Sequence, residues 1–464
     1  MPRLQIPPEV LERILTHLDV ESIKRLRLVN RILSTNCIGP YFRSFIRQLT
    51  IDLTTESFAA LDVLFSTPWL RYSIHTLTIL ATSFESSNAE SKLAAGGRMV
   101  YDSDEDESDE NESDYVQYST EELTDIQSEL DWLNTQKKAR ENESQDSIVD
   151  SLVLIFQRLK ALNTIRLDAA IIVGPNSKES ITAIRSPHPV WTRATQVHFM
   201  TMSAIVRSGI SVSRLNIYRD TLRCSVPLND YAAQISSFSP GDLSASFANL
   251  DALGLSIAST ERGDTRDTTT TEDILPVISR LLQWTPKLRK LSLHVYRTTD
   301  ADTEIDDEIF TSMADTVHLP RLQECSLSGF CLTVESLLQF LTKHPTIQQV
   351  ALEELHLTSG SWKTIFAHFS RRMPSLAHLH LSNMLYGGVG GVVNLHPVWQ
   401  SKDPEDPSTY FPCLWGGFVI HTRSFTMEEL QKGLVFQSMP RGRTMGSTNI
   451  AQWRRRRRAE YGPP

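Results

Sequence analysis

Residues capable of covalent chemistry are scattered along this chain and fall into no familiar catalytic spacing. The 464-residue sequence contains no GxSxG, HExxH or GxxxxGK pattern. Those patterns would indicate a nucleophilic serine, a zinc-bound catalytic site and a phosphate-binding loop, respectively. The glycine-rich segment 387–391 lacks a strand-to-helix context, so a flexible loop is expected there. The sequence therefore predicts no catalytic residue and no enzyme.

Metal ligands are also too few at any one place. His378 and His380 alternate along one predicted strand, but two histidines without a third ligand rarely form a metal site. The five cysteines include no CxxC pair, which argues against both a zinc finger and a disulfide framework. We expect no metal and no cofactor, and a reducing compartment, either cytoplasmic or nuclear or both.

The charge distribution excludes two classes of partner. The net charge of −9 is spread unevenly, because Asp102–Asp114 holds nine carboxylates and no base, and the chain without this run and the arginine run has a net charge of −5. Arg454–Arg458 is a compact basic run, interpreted as either a nuclear-import signal or a solvated tail. The remainder is mildly acidic and lacks the basic balance of a nucleic-acid binder. No segment approaches the roughly 18 uninterrupted apolar residues that cross a bilayer, so neither nucleic acid nor a membrane is an expected partner.

The elements that would position a binding surface begin with short helices in residues 1–45. Apolar residues recur at helical spacing in two stripes, and Asp19 is placed to cap the second helix. The stripes are Val10, Leu11, Ile14, Leu15 and Leu18, then Ile23, Leu26, Val29, Ile32 and Leu33. Two short helices cannot bury both stripes by themselves, so a packing partner is required.

This segment, IPPEVLERILTHLDVESIKRLRLVNRIL, resembles an F-box. The matching residues are Ile6, Pro7, Glu9, Ile14, Leu15, Leu18, Asp19, Leu26 and Val29. Ile6 replaces the first leucine of the family pattern, and the aromatic residue that usually follows the valine is absent. The resemblance covers less than a tenth of the chain. A helical cap on the following domain is the alternative interpretation.

The F-box resemblance implies docking on a Skp-type adaptor and, through it, on a cullin–RING ubiquitin ligase. The chain would then perform no covalent chemistry, because ubiquitin transfer belongs to other subunits. The expected adaptor-binding residues are the apolar residues of the two helix faces: Ile6, Pro7, Leu11, Ile14, Leu15, Leu18, Ile23, Leu26 and Val29.

An apolar-x-x-apolar-x-apolar pattern recurs through the rest of the chain, with helical stripes between the copies. Four strong copies follow a proline and end at Leu293, Leu327, Leu352 and Leu381, at spacings of 34, 25 and 29 residues. Weaker copies end at Ile51, Ile79, Leu167, Phe199, Ile217 and Leu255. This resembles the irregular leucine-rich repeats often found behind an F-box. A globular α/β fold with crossover helices is the structural alternative.

The predicted fold class is α/β: an F-box at 1–45, then a leucine-rich-repeat solenoid at 46–386, a horseshoe of strand–helix units. Residues 387–464 are assigned to a C-terminal cap, loops and the basic tail, the cap being suggested by Trp399, Phe411, Trp415 and Phe418. The long gap between Ile79 and Leu167 indicates a disordered acidic insertion at about 83–145, with a helix near Glu121–Arg140.

In a horseshoe, residues that alternate with the inward leucines face the concave surface. The expected substrate-binding residues are Arg214, Asn216, Tyr218, Lys290, Ser292, His294, Glu324, Ser326, Gln349, Glu353, His378 and His380. The sequence thus predicts a substrate-recognition adaptor of a Skp–cullin–F-box ubiquitin ligase that binds an unknown substrate protein. Two alternatives are a repeat scaffold without a ligase link and an enzyme with an unrecognised site.

Overall fold

The computed structural model of the chain describes residues 6–100, 114–175, 177–179, 188–221, 224–259, 276–297 and 303–382, with short segments 385–386, 391–394, 414–415, 418–419, 422–432 and 437–438. The chain begins with four short helices: α1 (Pro8–Leu15), α2 (Val20–Val29), α3 (Arg31–Asn36) and α4 (Pro40–Phe45).

The start of α2 is capped as predicted, but its end lies earlier than the apolar stripe suggested. Asp19 accepts a hydrogen bond of 2.6 Å from the backbone N–H of Ser22. Asn30 adopts extended backbone and its side chain accepts from the N–H of Leu33 at 2.8 Å, which starts α3. The single helix expected through Leu33 is therefore two helices, because Asn30 competes for the backbone as an N-cap.

The four helices have a small hydrophobic core of their own. It is separate from the main core and contains Leu11, Leu15, Ile23, Cys37 and Phe42. The last two come from the end of α3 and from α4, so these later helices cover much of the apolar surface that α1 and α2 cannot bury alone.

The main body is a twelve-stranded sheet in which nine parallel strands pair strictly in sequence order. These are β1 (Gln48–Asp52), β2 (Thr76–Phe84), β5 (Thr164–Gly174), β7 (Arg214–Ile217), β9 (Ala252–Ser259), β10 (Lys290–Arg297), β11 (Glu324–Ser328), β13 (Gln349–Glu353) and β15 (His378–Ser382). Three further strands join them: β20 (Thr422–Thr426) antiparallel to β15, β6 (Ser177–Glu179) antiparallel to β5, and β8 (Val226–Pro227) parallel to β9.

The remaining strands form three smaller sheets. A five-stranded sheet contains β12 (Cys331–Thr333), β14 (His356–Ser359), β16 (Leu385–Tyr386), β17 (Gly391–Asn394) and β21 (Gln437–Ser438). Two antiparallel pairs are β3 (Gly97–Val100) with β4 (Asp114–Gln117), and β18 (Leu414–Trp415) with β19 (Phe418–Val419).

Helices lie between or beside the strands along the chain. They are α5 (Thr55–Phe65), α6 (Pro68–Arg71), α7 (Ser87–Ala95), α8 (Thr120–Glu141), α9 (Gln145–Arg158), α10 (His188–Ser208), α11 (Leu228–Ser237), α12 (Pro240–Phe247), α13 (Val277–Gln283), α14 (Thr303–Thr316), α15 (Val334–Lys343), α16 (Trp362–Arg372) and α17 (Met427–Lys432). Because the strand order never reverses, right-handed crossovers place the connecting helices on one face of the sheet. The opposite face is left open, and the mixed α/β class with an N-terminal helical segment is confirmed.

The parallel strands pair without any slip between neighbours, which stacks their apolar residues in two rows beneath the helices. The first row is Leu49, Leu77, Ile165, Leu215, Leu253, Leu291, Cys325, Val350 and Leu379. The second row is Ile51, Ile79, Leu167, Ile217, Leu255, Leu293, Leu327, Leu352 and Leu381. The second row contains the last apolar residue of every predicted repeat copy except one.

The exception is Phe199, which the pattern placed at the end of a strand and which lies in α10. Buried Val197, Met200 and Ala204 belong to the core around it. Their intervals of three and four residues follow the helical period, so the prediction of a repeat strand ending at Phe199 is wrong.

One backbone hydrogen-bond pattern recurs at the start of each of the eight pairs formed by the nine consecutive parallel strands. The carbonyl of the residue before one strand accepts two N–H groups from the next strand's entry. The carbonyl of Asn163, for example, accepts from Ser213 at 2.9 Å and from Arg214 at 3.0 Å. Eight carbonyls behave in this way: those of Arg47, His75, Asn163, Ser213, Asp251, Arg289, Gln323 and Gln348.

The insertion between β2 and β5 contains more regular structure than its composition suggested. Helix α8 begins with a reciprocal capping box between Ser119 and Glu122 and buries Leu133. Arg140, near its end, pairs with Asp52 and donates to the carbonyl of Leu53 at 2.8 Å. The expectation of disorder across 83–145 is thus wrong for 83–100 and 114–145, since these contacts offset the ordering entropy. The helix expected near Glu121–Arg140 is α8, while 101–113 lie outside the described residues.

At the other end of the sheet, β20 covers the edge of β15, and Phe425 and Leu430 are buried there. Trp415 and Phe418 lie in the β18–β19 pair. Trp399, Phe411 and the arginine run lie outside the described residues.

A buried histidine joins α15 to the entry of β11. His344 donates from Nδ1 to the carbonyl of Phe340 at 2.7 Å, and its Nε2 accepts from the N–H of Leu319 at 3.0 Å. The bond that Nε2 accepts requires the neutral ring, because a protonated Nε2 has no free lone pair. Burial lowers the pKa of His344 to about 4, and burial likewise lowers the pKa of His198 on α10 to about 4.

We expect the free energy of unfolding to fall as the pH drops from about 6.5 to 4. The unfolded histidines bind protons in this window while the folded ones do not, so stability rises with pH across it. The full difference for His344 is about 3 kcal/mol, from the shift of its pKa from 6.5 to about 4. Urea unfolding at stepped pH measures it. His344→Gln should flatten this dependence, and equal slopes in the original and the substituted protein would contradict the assignment.

Candidate functional site

The open face of the sheet contains a groove of about 670 Å³ that crosses strands β5 to β20. Its floor is made of small residues on the central strands: Ala252, Gly254, Ser292, Ser326 and Ala351. Longer polar side chains stand on either side of this floor. Side chains alternate between the two faces of a strand. Along each strand, the groove residues therefore alternate with buried apolar residues that face the core.

Arg219 is the side chain that spans the groove. It belongs to the turn after β7, and its Nε donates to the hydroxyl of Ser292 on β10 at 2.7 Å. One terminal nitrogen lies 3.5 Å from the hydroxyl of Ser326 on β11 and 3.9 Å from the carboxylate of Glu353 on β13. A single arginine therefore contacts three successive strands.

The turn that carries Arg219 is held by its neighbours. Tyr218 has a left-handed backbone (φ 55°), and its buried hydroxyl donates to the carbonyl of Ala194 at 2.9 Å. The side-chain oxygen of Asn216 accepts from the N–H of Arg219 at 3.0 Å, and its amide donates to Asp220 at 2.7 Å. The left-handed residue reverses the chain, so Arg219 returns over the open face.

Gly254 provides the space that this arginine needs. A Cβ atom at this position would lie 3.2 Å from the Cβ of Arg219 and 3.4 Å from the Cγ of Asn216. The first distance is tighter than ordinary van der Waals contact, and the second lies at its lower limit. The absence of a side chain on β9 thus allows the stem of Arg219 to lie close against the sheet.

Most charges in the groove are paired. Lys290 contacts Glu324 at 2.7 Å and Arg166 contacts Asp220 at 3.1 Å. The carboxylate of Glu353 lies 3.9 Å from both Arg219 and the ring of His380. Arg214 has no ion-pair partner among the residues that the structure describes, which leaves the β7–β10 end of the groove positively charged.

The structure brings together most of the predicted substrate-binding residues. Those that line the groove are Arg214, Asn216, Lys290, Ser292, Glu324, Ser326, Gln349, His378 and His380. Glu353 stands beside them through its contacts with Arg219 and His380. His294 does not line the groove; it is half-buried and its ring lies 4.0 Å from that of Tyr296.

The prediction that Tyr218 binds substrate is wrong, because its side chain is fully buried and does not reach the open face. The alternation rule fails at this position, where the strand ends and the backbone turns left-handed. Arg166, Arg219 and Asp220 are groove residues that the sequence interpretation missed. Arg166 follows the same alternation on β5, and the signal for Arg219 was a glycine at an open-face strand position.

The buried hydroxyl of Tyr218 and the buried thiol of Cys325, both near the groove, are unsuited to nucleophilic attack. Burial raises the pKa of Tyr218 well above its usual range and that of the Cys325 thiol to about 12, so both stay protonated at neutral pH. In the described ranges, no three His, Cys, Asp or Glu side chains are grouped to hold a metal ion. None of the helices in these ranges combines the length and apolarity that crossing a membrane requires. The groove offers ion pairs and hydrogen bonds, which are binding functions.

A second candidate surface lies on the N-terminal helices. Five large apolar side chains there are exposed: Val10 by 50%, Ile14 by 41%, Leu28 by 85%, Val29 by 68% and Ile32 by 53%. Val10 and Ile14 are one helical turn apart on α1 and share a face. Leu28 and Val29 end α2, and Ile32 follows in α3.

The expected adaptor-binding residues divide into two groups. Ile14, Val29 and Pro7 are exposed, and Ile6, Leu18 and Leu26 are half-buried. Leu11, Leu15 and Ile23 are buried in the core of the four helices. Their assignment as contact residues is wrong, since α3 and α4 already cover them. Val10, Leu28 and Ile32 are the exposed residues that the assignment left out.

Comparison with known proteins identifies this helical segment. Residues 4–43 match the F-box domain. F-box domains bind Skp-type adaptors of cullin–RING ligases and generally link proteins to these complexes as substrate adaptors rather than enzymes. No curated protein matches the chain.

We expect Gly254→Val to lower the free energy of unfolding by about 1–3 kcal/mol, because overpacking displaces Arg219 from Ser292. The loss should shrink in part when Arg219→Ala is already present, since the Cγ of Arg219 at 3.5 Å and the stem beyond it are then absent while its Cβ remains. A double-mutant cycle by urea denaturation measures this coupling. Additive effects of the two substitutions would show that Arg219 does not depend on the missing side chain.

Proposed function

We propose that this chain is a substrate-recognition adaptor of a Skp–cullin–F-box ubiquitin ligase complex. Its N-terminal helices bind the Skp-type adaptor, and the groove on the open sheet face holds a substrate protein. The observation that carries the proposal is the exposed apolar surface of Val10, Ile14, Leu28, Val29 and Ile32, within the segment that matches the F-box domain.

The exposed apolar side chains, unlike those of the buried core, would gain stabilisation from contact with a partner. Leu11, Leu15 and Ile23 already provide the cohesion of the helical segment. Leu28 and Val29, in contrast, leave most of their surface in water at adjacent positions. Clustered apolar exposure on a soluble protein is typical of an interaction site. Burial of each such side chain against an adaptor would contribute about 1.5–3 kcal/mol.

The main body is proposed to be a leucine-rich-repeat solenoid. Support comes from its parallel strands in sequence order and from the hydrogen-bond pattern shared by eight consecutive junctions. Alternating exposed and buried residues along the strands leave one face open for a partner. A repeat surface of this kind recognises partners through its side chains and performs no chemistry itself.

A repeat scaffold without a ligase link is the alternative, and it shares the groove but not the adaptor interface. The two proposals therefore separate at the N-terminal helices. In the scaffold, the helices would serve as a cap, and their exposed apolar residues would contribute nothing to partner choice.

We expect Leu28→Ala combined with Val29→Ala to weaken binding to a Skp-type adaptor roughly a hundredfold. Two truncated interface side chains correspond to about 3 kcal/mol, and each 1.4 kcal/mol is a factor of ten. Isothermal titration with the purified adaptor measures the affinity, and circular dichroism checks the fold.

Val63→Ala is the matched control, because Val63 is 73% exposed on α5, outside the F-box match. It should leave adaptor binding unchanged. Undiminished affinity of the Leu28→Ala, Val29→Ala protein would overturn the ligase proposal and favour the scaffold.

A further inference from the structure

Three cations surround a shallow part of the groove floor. Arg214 on β7 and Lys290 on β10 occupy the same row of the sheet, with Ala252 of β9 between them. Two strand spacings separate the two cations, or about 10 Å. Arg219 closes the third side, since its stem crosses Gly254 and its guanidinium is held by Ser292. On β9, the floor between these cations is made of Ala252 and Gly254 and carries no side chain larger than a methyl group.

The charges of this cluster are only partly balanced. Glu324 neutralises Lys290 at 2.7 Å, whereas Arg214 has no ion-pair partner in the described part of the chain. Glu353 reaches Arg219 only at 3.9 Å and shares that carboxylate with His380. The excess is therefore between one and two positive charges. A carboxylate with a single negative charge matches this excess.

The shape of the groove favours an extended chain as the occupant. From β5 to β20 it spans seven strand spacings, which is about 34 Å and equals the length of about ten extended residues. It is open along this length and has polar groups on both sides. A peptide crossing the strands can place one side chain over Ala252 and Gly254 while its backbone contacts the serines of the floor.

We infer that the groove binds an extended acidic peptide segment of a partner protein, whose aspartate or glutamate carboxylate lies between Arg214, Arg219 and Lys290. The inference rests on the proposed function, because it names the chemistry of the substrate that the groove would hold. Charge-assisted hydrogen bonds from two or three cations supply both affinity and register for such a carboxylate. The histidines and Glu353 at the β13–β15 end contact the less acidic part of the same segment.

The test uses the full chain and three rhodamine-labelled decapeptides read by fluorescence anisotropy. One alternates glutamate with threonine, the second has glutamine for every glutamate, and the third is the glutamine peptide with a single phosphoserine. We expect the glutamate peptide to bind at least about tenfold more tightly than the glutamine peptide. Its affinity should fall with added salt, as expected for exposed charges. Equal binding of these two peptides would overturn the inference, and so would binding of the phosphopeptide alone.

Variants assign the binding to this cluster. Arg214→Gln and Arg219→Gln should each reduce the affinity for the glutamate peptide about tenfold. Arg207→Gln is the matched control, since Arg207 is an exposed arginine on α10 paired with Asp150. Equal losses in all three variants would indicate unspecific attraction and overturn the site. Arg214 is exposed and unpaired in the described residues, so its variant remains informative even if Arg219→Gln disturbs the turn.

Adaptor affinity, measured on the same preparations, separates this inference from the proposed function. The groove variants should keep adaptor binding, which depends on the N-terminal helices. A protein that binds the adaptor but not the glutamate peptide would overturn the acidic-peptide inference alone. A protein that binds the glutamate peptide but not the adaptor would overturn the ligase role and keep the groove as the binding site of a scaffold.

Discussion

The carbonyl that precedes each strand, and that accepts two N–H groups from the next strand's entry, is the interaction on which the rest of the structure depends. It recurs at eight successive junctions, although the chain between them varies greatly in length. Because it aligns the first residue of each strand with the first residue of its neighbour, no register shift accumulates. A shift of one residue would turn every buried leucine to the open face. The backbone contact thus allows insertions such as α7 to α10 without disturbing the core.

This zero-shift register also determines what the open face can do. Residues at equivalent positions of neighbouring strands lie one strand spacing apart, about 4.8 Å. Their side chains can therefore contact each other across the sheet. Lys290 and Glu324 meet in this way. The row that contains Gly254, Ser292 and Ser326 forms a floor low enough for Arg219 to cross it. The groove is therefore a property of rows across the sheet rather than of any single strand.

Prediction of the strands and of the open face from the sequence succeeded where the spacing of apolar residues reflects which side chains are buried. The apolar residues of the predicted repeat copies located most of the parallel strands, and alternation placed most of the groove residues on the open face. It failed at Phe199, because a buried helix and a buried strand can share a short apolar pattern. It failed at Tyr218 and missed Arg219, since the rule of alternation ends where the backbone turns left-handed. The prediction of disorder in the insertion was based on composition and was partly wrong, because composition does not reveal long-range contacts such as that of Arg140 with Asp52.

The N-terminal segment shows the same limit at the level of side chains. The motif identified a domain, but it could not tell which members of an apolar stripe face inward, because that depends on where α3 and α4 pack. Cys37 and Phe42 pack with Leu11, Leu15 and Ile23 in the core, so these three residues face inward. Leu28 and Val29 remain exposed to solvent. The helical core and the core of the sheet share no residue. Since the buried cores and the exposed surfaces are thus built mostly from different residues in both parts, most substitutions on either surface can change its chemistry without altering the core beneath it.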